Sequence, residues 1–284
     1  MTKMAVIFPR PSGGNFCHFA HFVSDFVLPF FSILRKNELV ESLLGGQGIE
    51  LEIQDRRNTT FGPLLPLVHE IFPGLIVKHV SRFSSEPVCF HRKAWHNNVD
   101  DIDHFIGHLK RMLPIKPSSH GVIIVQRGID RQKYPGHPDG LRFFRSGADR
   151  RTIGSGIERL VARVMEKRPD AVCVTLEEMS FAEQVSLFLN ADTLIGQHGA
   201  AFVHSHWMPK NGHLIQLQCH VQCHKLQRHE LNMQPTLAKL RNHRSSVIYY
   251  PCAGSESQGC LIMNIGNATK VSRLLSSRPC LVRS

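Results

Sequence analysis

The stretch Leu194-Ile195-Gly196-Gln197-His198-Gly199-Ala200-Ala201 decides the fold of this 284-residue chain. It has the pattern of a buried strand that ends in a turn bounded by glycines, after which a helix begins on small residues. In a parallel sheet, ligands bind at the carboxyl ends of the strands, and the free N–H groups of a helix start bind anions. His198 is therefore expected to point into a crevice where Gly199 and Ala200 let a phosphate approach the backbone. A tight turn with a surface histidine explains the same pattern about equally well.

Strand and helix patterns alternate on both sides of this stretch. Apolar runs predict strands at 5–8, 49–53, 75–80, 121–126, 171–176, 193–195 and 213–217. Helical spacing predicts helices at 16–35, 64–72, 100–113, 156–167 and 180–190, the last of them capped by Ser180 with Glu183 three residues on. Such alternation predicts parallel α/β sheets, and the Pro- and Ser-rich segment 114–120 predicts two α/β domains facing a cleft.

Arginines follow another predicted strand end. Arg127 comes directly after the strand at 121–126, so it falls on the edge of a parallel sheet where ligands bind. The polar segment that follows carries further arginines, at Arg131, Arg142, Arg145, Arg150 and Arg151. Arginine suits bidentate phosphate contacts. For each of them except Arg127, a solvated loop charge is the favoured interpretation.

Three polar residues interrupt the aromatic helix predicted at 16–35. They are His18, His21 and Asp25, and the last two are four residues apart, so they share a helix face. Burying such groups is costly unless they serve a purpose. A carboxylate here could act as a general base, with a histidine orienting it or acting in its place. A structural hydrogen-bonded pair is the alternative.

Composition limits the kinds of partner. Lys and Arg number 34 against 23 Asp and Glu, a formal charge of +11, and there are 18 histidines. We therefore expect an anionic partner: nucleic acid, a membrane surface or a phosphorylated small molecule.

The 42% of hydrophobic residues excludes a disordered chain. No apolar run approaches the roughly 20 residues that span a bilayer, the start does not resemble a signal peptide, and the scattered cysteines suit reduced thiols, so a cytoplasmic protein is expected.

Two weaker patterns concern metals. The segment Cys219-His220-Val221-Gln222-Cys223-His224 has three residues between its cysteines instead of two, and no second pair follows, so a zinc site is disfavoured. Asp101-Ile102-Asp103 opens a predicted helix, where a capping role is favoured over a metal site. No bound metal is therefore expected.

The motifs together resemble glycosyltransferase family 61, which includes plant xylan xylosyl- and arabinosyltransferases and the O-linked N-acetylglucosamine transferase of EGF domains. The resemblance rests on a strand ending in Arg127, an E-x-x-S-F-x-E-Q run at 177–184, a G-x-H-G-A turn at 196–200 and Trp207-Met208-Pro209. The early segment 14–29 is similar to the family's early segment, with His21 and Asp25 in the places of a histidine and an aspartate. The clear match covers residues 121–217.

The resemblance implies a GT-B type α/β fold with two Rossmann-like domains. Residues 1–116 would bind the acceptor, 117–250 would bind the nucleotide sugar, and the tail 251–284 would pack on the first domain. The reaction would be metal-independent and inverting, moving a sugar from a UDP-sugar to a hydroxyl of a glycan or glycoprotein. Xylose is the favoured sugar, then N-acetylglucosamine or arabinose.

The same resemblance implies the site residues. Asp25 would accept the proton, with His21 or His18 as the competing base. Donor contacts would come from a set of loop and helix-start residues: Arg127, Arg131, Arg151, Glu177, Ser180, Phe181, Gln184, His198, Gly199, Ala200 and Ala201.

The chain departs from the family at positions that bear on the donor sugar and the acceptor more than on the reaction class. His204 stands where the family usually has Asn, and Gln216 where it often has Glu. Known members usually carry a membrane anchor, so we expect this chain to be a soluble cytoplasmic or virus-like member, acting in a host cytoplasm if viral. The alternatives are a basic nucleic-acid-binding protein, which charge alone suggests, and an inactive family member that binds glycans.

Overall fold

The computed structural model describes residues 1–8, 16, 19–54, 61–89, 99–116, 118–126, 157–197, 199–219 and 237–250. The chain divides into two compact units between Ile115 and Lys116. We call the described residues up to Ile115 unit 1 and those from Lys116 onward unit 2. The functions predicted for the two domains stay predictions, and the tail 251–284 lies outside the described residues.

Unit 1 contains a sheet of four parallel strands. These are β1 (Thr2–Ile7), β2 (Ile49–Gln54), β3 (Leu75–Val80) and β4 (Val88–Cys89), in the order β3-β2-β1-β4. The chain passes from β1 to β2 and β3 on one side and then returns to place β4 on the other side of β1. The strand order therefore reverses at β1, the kind of position where open α/β sheets bind ligands.

The helices of unit 1 lie between and after these strands. They are α1 (Phe19–His21), a π-helical segment (Phe22–Val27), α2 (Leu28–Lys36), α3 (Val40–Leu44), a 3₁₀ turn (Gly62–Leu64), α4 (Leu65–Ile71) and α5 (Val99–Met112). The helix predicted at 16–35 is confirmed from Phe19 onward, with Phe22–Val27 widened into a π-helix. Asp101, in the first turn of α5, bonds Ser32 and Arg35 of α2, so its carboxylate joins two helices.

Strand β2 buries two carboxylates among its apolar residues. Glu50 pairs with Lys78 of β3 at 2.7 Å and with Lys3 of β1 at 3.6 Å. The hydrogen bond from Lys78 lowers the pKa of Glu50, which keeps the carboxylate charged. Glu52 accepts the backbone N–H of Ser84 at 2.7 Å and so holds the segment that leads to β4. Because each carboxylate has an ion-pair or hydrogen-bond partner, both acidic residues can be buried in this strand.

Unit 2 contains five parallel strands in the order β6-β5-β7-β8-β9. They are β5 (Val122–Gln126), β6 (Ala171–Thr175), β7 (Thr193–Gln197), β8 (His213–Cys219) and β9 (Arg244–Tyr250). Their helical elements are α6 (Ile157–Met165), a 3₁₀ turn (Leu176–Glu178), α7 (Phe181–Leu189) and a 3₁₀ helix (Ala200–His206). This is the 2-1-3-4-5 order of flavodoxin-like sheets, whose switch point lies between the first and third strands, here β5 and β7.

The sheet of unit 2 is covered on both faces. One face packs Ile124, Ile195 and Ile215 against Leu160 and Val164 of α6. On the opposite face, Phe202 lies 3.9 Å from the position that a Cβ would take on Gly196. The two all-parallel sheets confirm the predicted Rossmann-like α/β class. In the part of the chain that is described, no helix combines the length and apolar character needed to cross a bilayer.

An ion-pair cluster fixes the amino ends of the three strands β6, β5 and β7. Arg168 bonds Asp170 at 2.7 Å and Asp192 at 3.1 Å, and Thr193 donates to Asp192 at 2.6 Å. Hydrogen bonds from Arg168 lower the pKa of Asp170 and keep the pair charged. Gly121 sits against this cluster, since a Cβ there would lie 2.1 Å from Asp170 Oδ2 and 2.6 Å from a terminal nitrogen of Arg168.

We predict that Gly121→Ala destabilises the protein, because the new methyl group must push the Arg168–Asp170 pair apart. Overpacking of this kind costs about 1–3 kcal/mol, measured as a lower midpoint of thermal or urea unfolding. The matched control is Gly107→Ala in α5, where a Cβ meets nothing within 4 Å. That change should stabilise the protein by roughly 0.5–1 kcal/mol, since alanine favours helix. Equal effects of the two substitutions would contradict this account.

Candidate functional site

The helix that follows β1 carries a histidine–carboxylate pair. Nδ1 of His21 lies 2.7 Å from Oδ2 of Asp25. The side chain of Asp25 is 3% exposed and that of His21 is 24% exposed, so the carboxylate is inside and the imidazole reaches the surface. Because a carboxylate only accepts hydrogen bonds, Nδ1 carries the proton and Nε2 is the basic nitrogen of the neutral ring. We call this pair the dyad.

Aromatic packing positions the dyad beside the carboxyl end of β1. Phe8, directly after β1, has its ring centroid 5.2 Å from that of Phe26, the neighbour of Asp25 in the chain. The ring of Phe26 also lies 4.5 Å from that of Phe61 and 5.5 Å from that of Phe16. All four rings are buried. The dyad therefore lies at the strand-order reversal of unit 1.

Asp25 is part of the π-helical segment Phe22–Val27. Single π-turns within α-helices are frequent at functional sites. The spacing of apolar and polar residues in this segment does not distinguish a π-helix from an α-helix. His18 lies outside the described residues.

In unit 2, two adjacent strands end at the switch point. β5 and β7 pair through Val125 and Gly196 and end at Gln126 and Gln197. The sequence continues from these ends into Arg127 and His198. Both of these residues lie outside the described ones, as do Arg131 and Arg151.

The helix predicted to begin on the small residues after β7 is confirmed, and it is a short 3₁₀ helix. Gly199 precedes the helix in an extended conformation, and its carbonyl accepts the N–H of Phe202 at 3.2 Å. Ala200 and Ala201 form the first turn, and the helix ends at His206. Pro209 stands close behind this end, where it prevents the helix from continuing.

The motif after β6 forms a rigid helix start. Ser180 caps α7: its hydroxyl accepts the N–H of Glu183 at 3.3 Å, and the Glu183 carboxylate accepts the N–H of Ser180 at 2.7 Å. This capping box confirms the prediction from sequence. The side-chain nitrogen Nε2 of Gln184 donates to the carbonyls of Leu176 and Met179 at 2.9 and 3.0 Å. Gln184 thus holds the preceding loop in place.

Within the same motif, two predicted donor residues differ in exposure. Phe181 is buried, with its ring edge-on to Trp207 at 5.9 Å. Glu177 is exposed in the 3₁₀ turn after β6. Since β6 adjoins β5, the structure brings the loops that carry Glu177 and Gly199 to either side of the end of β5. The donor contacts themselves stay predictions.

His204 belongs to the core behind the turn. Its ring stacks on Phe188 at 4.6 Å and meets Trp207 edge-on at 5.0 Å. Burial lowers the pKa of His204 to about 3, so the ring is neutral at physiological pH. The departure from the family's usual Asn is therefore accommodated by aromatic packing.

Sequence reasoning missed three more buried histidines nearby, His206, His213 and His243, because their contacts are distant along the chain.

No three metal-ligating side chains come together among the described residues. Most of the segment Cys219–His224 lies outside them. The carboxylate of Asp101 accepts hydrogen bonds from Ser32 and Arg35.

Comparison with known proteins gives one match. A family model described as Glycosyltransferase 61 matches residues 19–215, which include the dyad, the capping-box motif and the turn after β7. No curated protein matches the chain.

We predict that His204 makes the stability of unit 2 depend on pH. In the unfolded chain His204 has the ordinary pKa of about 6.5, whereas in the folded chain its pKa is about 3. The free energy of unfolding is therefore unaffected by His204 above pH 6.5 and decreases as the pH is lowered from 6.5 toward 3. Between pH 7.5 and 5.0 the loss from this residue alone is about 2 kcal/mol.

Urea unfolding of wild type and His204→Phe at both pH values measures this effect. The phenyl ring keeps the stacking on Phe188 but does not titrate, so the variant should lose about 2 kcal/mol less than wild type over this range. The same pH dependence in both proteins would show that His204 is not buried in its neutral form.

Proposed function

Because the chain belongs to glycosyltransferase family 61, we propose that it is an inverting glycosyltransferase that uses a UDP-sugar. The observation that carries the proposal is the arrangement of unit 2, where β5 and β7 end side by side at the switch point. The next residues in the chain, Arg127 and His198, supply the cationic groups that a leaving diphosphate needs. The proposal includes the GT-B arrangement, with the acceptor bound by the first domain and the donor by the second.

We assign the general base to His21. Asp25 is almost fully buried and one of its oxygens is committed to Nδ1 of His21, whereas the imidazole is partly exposed. This arrangement resembles the pairs in which a buried aspartate fixes the tautomer of a histidine and stabilises its protonated form. The geometry thus favours His21 over Asp25, which the sequence ranked first.

The reaction then proceeds in one displacement. Nε2 of His21 takes the proton from an acceptor hydroxyl while that oxygen forms a bond to C1 of the sugar. The bond from C1 to the β-phosphate oxygen breaks on the opposite face, and UDP leaves with the electron pair. The configuration at C1 inverts, and the proton passes from His21 to water. Preorganised cations at the diphosphate lower the barrier because negative charge develops there.

Other residues of unit 2 would bind the rest of the donor. Glu177 is exposed beside the end of β5 and is suited to accept hydrogen bonds from sugar or ribose hydroxyls. The N–H groups of Gly199 and Ala200 would contact the diphosphate. Xylose is the favoured sugar, followed by N-acetylglucosamine or arabinose, and the acceptor is a hydroxyl of a glycan or glycoprotein.

We predict that His21→Gln and Asp25→Asn lower the rate of UDP release from UDP-xylose while leaving the affinity for UDP unchanged. Loss of a general base costs about 100- to 10,000-fold in rate. Asp25→Asn keeps a residual rate because the imidazole remains, so His21→Gln should be the more severe change. His69→Asn, at an exposed histidine of α4, is the matched control with wild-type activity. A nearly inactive Asp25→Asn beside an active His21→Gln would instead make Asp25 the base.

We predict that Arg127→Ala weakens UDP binding about 10- to 100-fold, since a charge-assisted contact contributes about 1.5–3 kcal/mol. Isothermal titration with UDP measures the change. Arg163→Ala is the control, because Arg163 is an exposed residue of α6 paired with Glu166. Unchanged affinity in Arg127→Ala would remove this residue from the donor site. Binding that depends equally on both arginines would indicate a general attraction to anions.

A further inference from the structure

His243 joins two separate parts of unit 2 through its ring. The N–H of Gly212 donates to Nδ1 of His243 at 2.9 Å, and Nε2 of the ring lies 3.0 Å from the carbonyl oxygen of Ser205. Because Nδ1 accepts a hydrogen bond, the proton is on Nε2, which donates to Ser205. These contacts require a neutral ring, and only 8% of the residue is exposed.

The two parts lie on either side of the Trp-Met-Pro segment. Ser205 belongs to the 3₁₀ helix that begins after Gly199, and Gly212 directly precedes β8. The fit around the ring is tight, since a Cβ on Gly212 would lie 2.8 Å from Nδ1. Arg241 adds hydrogen bonds to the carbonyl of Met208 at 3.2 and 3.3 Å. Residues 241–243 therefore hold the 3₁₀ helix and the start of β8 together.

We propose that His243 is a pH-sensitive clamp whose protonation releases the 3₁₀ helix Ala200–His206 from the start of β8. A proton on Nδ1 would place an N–H group against the N–H of Gly212, so the hydrogen bond is lost and two donors face each other. The buried ring cannot keep both its charge and its contacts, and acid therefore favours the released state.

The groups around the ring oppose its protonation in place. The titratable and charged residues on the elements packed against it are His204, His206, His213, Asp192, Lys210, Lys239, Arg241 and Arg244. Four members of this set carry a positive charge, namely Lys210, Lys239, Arg241 and Arg244. The carboxylate of Asp192, the one acidic group in this set, is already bonded by Arg168 and Thr193. The charge on His243 is thus accepted only after the clamp has opened.

The clamp has a consequence for donor binding, and this consequence rests on the proposed function. The 3₁₀ helix begins at the turn that would contact the diphosphate, so release of its far end loosens that turn. Donor affinity would then fall in mildly acidic conditions. The clamp itself does not depend on the nature of the ligand.

Amide hydrogen exchange of the full chain without nucleotide tests the clamp. Peptides covering residues 205–212 are compared at pH 7.5 and 5.5 after correction for the intrinsic exchange rate. An opened ring with an ordinary pKa near 6.5 raises the opening equilibrium about tenfold over this range. Wild type should therefore lose about tenfold more protection than His243→Asn, whose side-chain oxygen can still accept the N–H of Gly212 but does not titrate.

His120→Asn, at a partly exposed histidine of unit 2, is the control and should match wild type. A difference of less than threefold between wild type and His243→Asn would overturn the proposal, and a larger one supports it.

Ring ¹⁵N NMR of wild type gives a second test that needs no variant. At pH 7.5 the proposal requires a neutral His243 ring protonated on Nε2, and a proton on Nδ1 would overturn it. Neither readout involves UDP, so either can fail independently of the proposed function.

Discussion

Parallel strand pairing is the constraint on which the rest of this structure depends. It gathers the carboxyl ends of β6, β5 and β7 on one edge of a sheet, and it does the same for β1 and β4 in unit 1. In each unit the strand order reverses at such an edge, which is the kind of position where open α/β sheets bind ligands. The dyad follows β1, and the chain continues from β5 and β7 into Arg127 and His198.

Polar groups are held in the interior of both units by specific partners. Glu50 is charged between two lysines, and Arg168 joins the starts of β6 and β7 through two aspartates. Buried histidines behind the turn are neutral instead, stacked on aromatic rings or bonded to backbone atoms. The excess of histidine in the composition thus has a partial structural explanation, because several of these rings are core residues whose neutral form the fold requires.

Periodicity predicted most strands and helices, and the capping box at Ser180 was readable because its two residues are three apart. Other features depend on contacts that are distant along the chain. The π-helical segment around Asp25 and the contacts of His243 with Ser205 and Gly212 have no local pattern. Strand β9 was missed because its polar start reads as a loop.

The motif after β6 shows a similar limit of sequence reasoning. It marks the family, yet Ser180 and Gln184 use their side chains to shape the loop and the helix start. Residues that identify a site by sequence can therefore hold that site in shape without touching the ligand. The exposed Glu177 in the same loop is the better placed of these residues for a direct contact.

The central claim is that this chain transfers a sugar from a nucleotide donor. Incubation of the wild-type protein with a panel of UDP-sugars, read by thermal shift and by UDP release, tests it most directly. The account predicts that at least one UDP-sugar, with UDP-xylose favoured, raises the unfolding temperature and is turned over. A panel in which no UDP-sugar stabilises the protein or releases UDP, while single-stranded nucleic acid binds with a steep salt dependence, would contradict it.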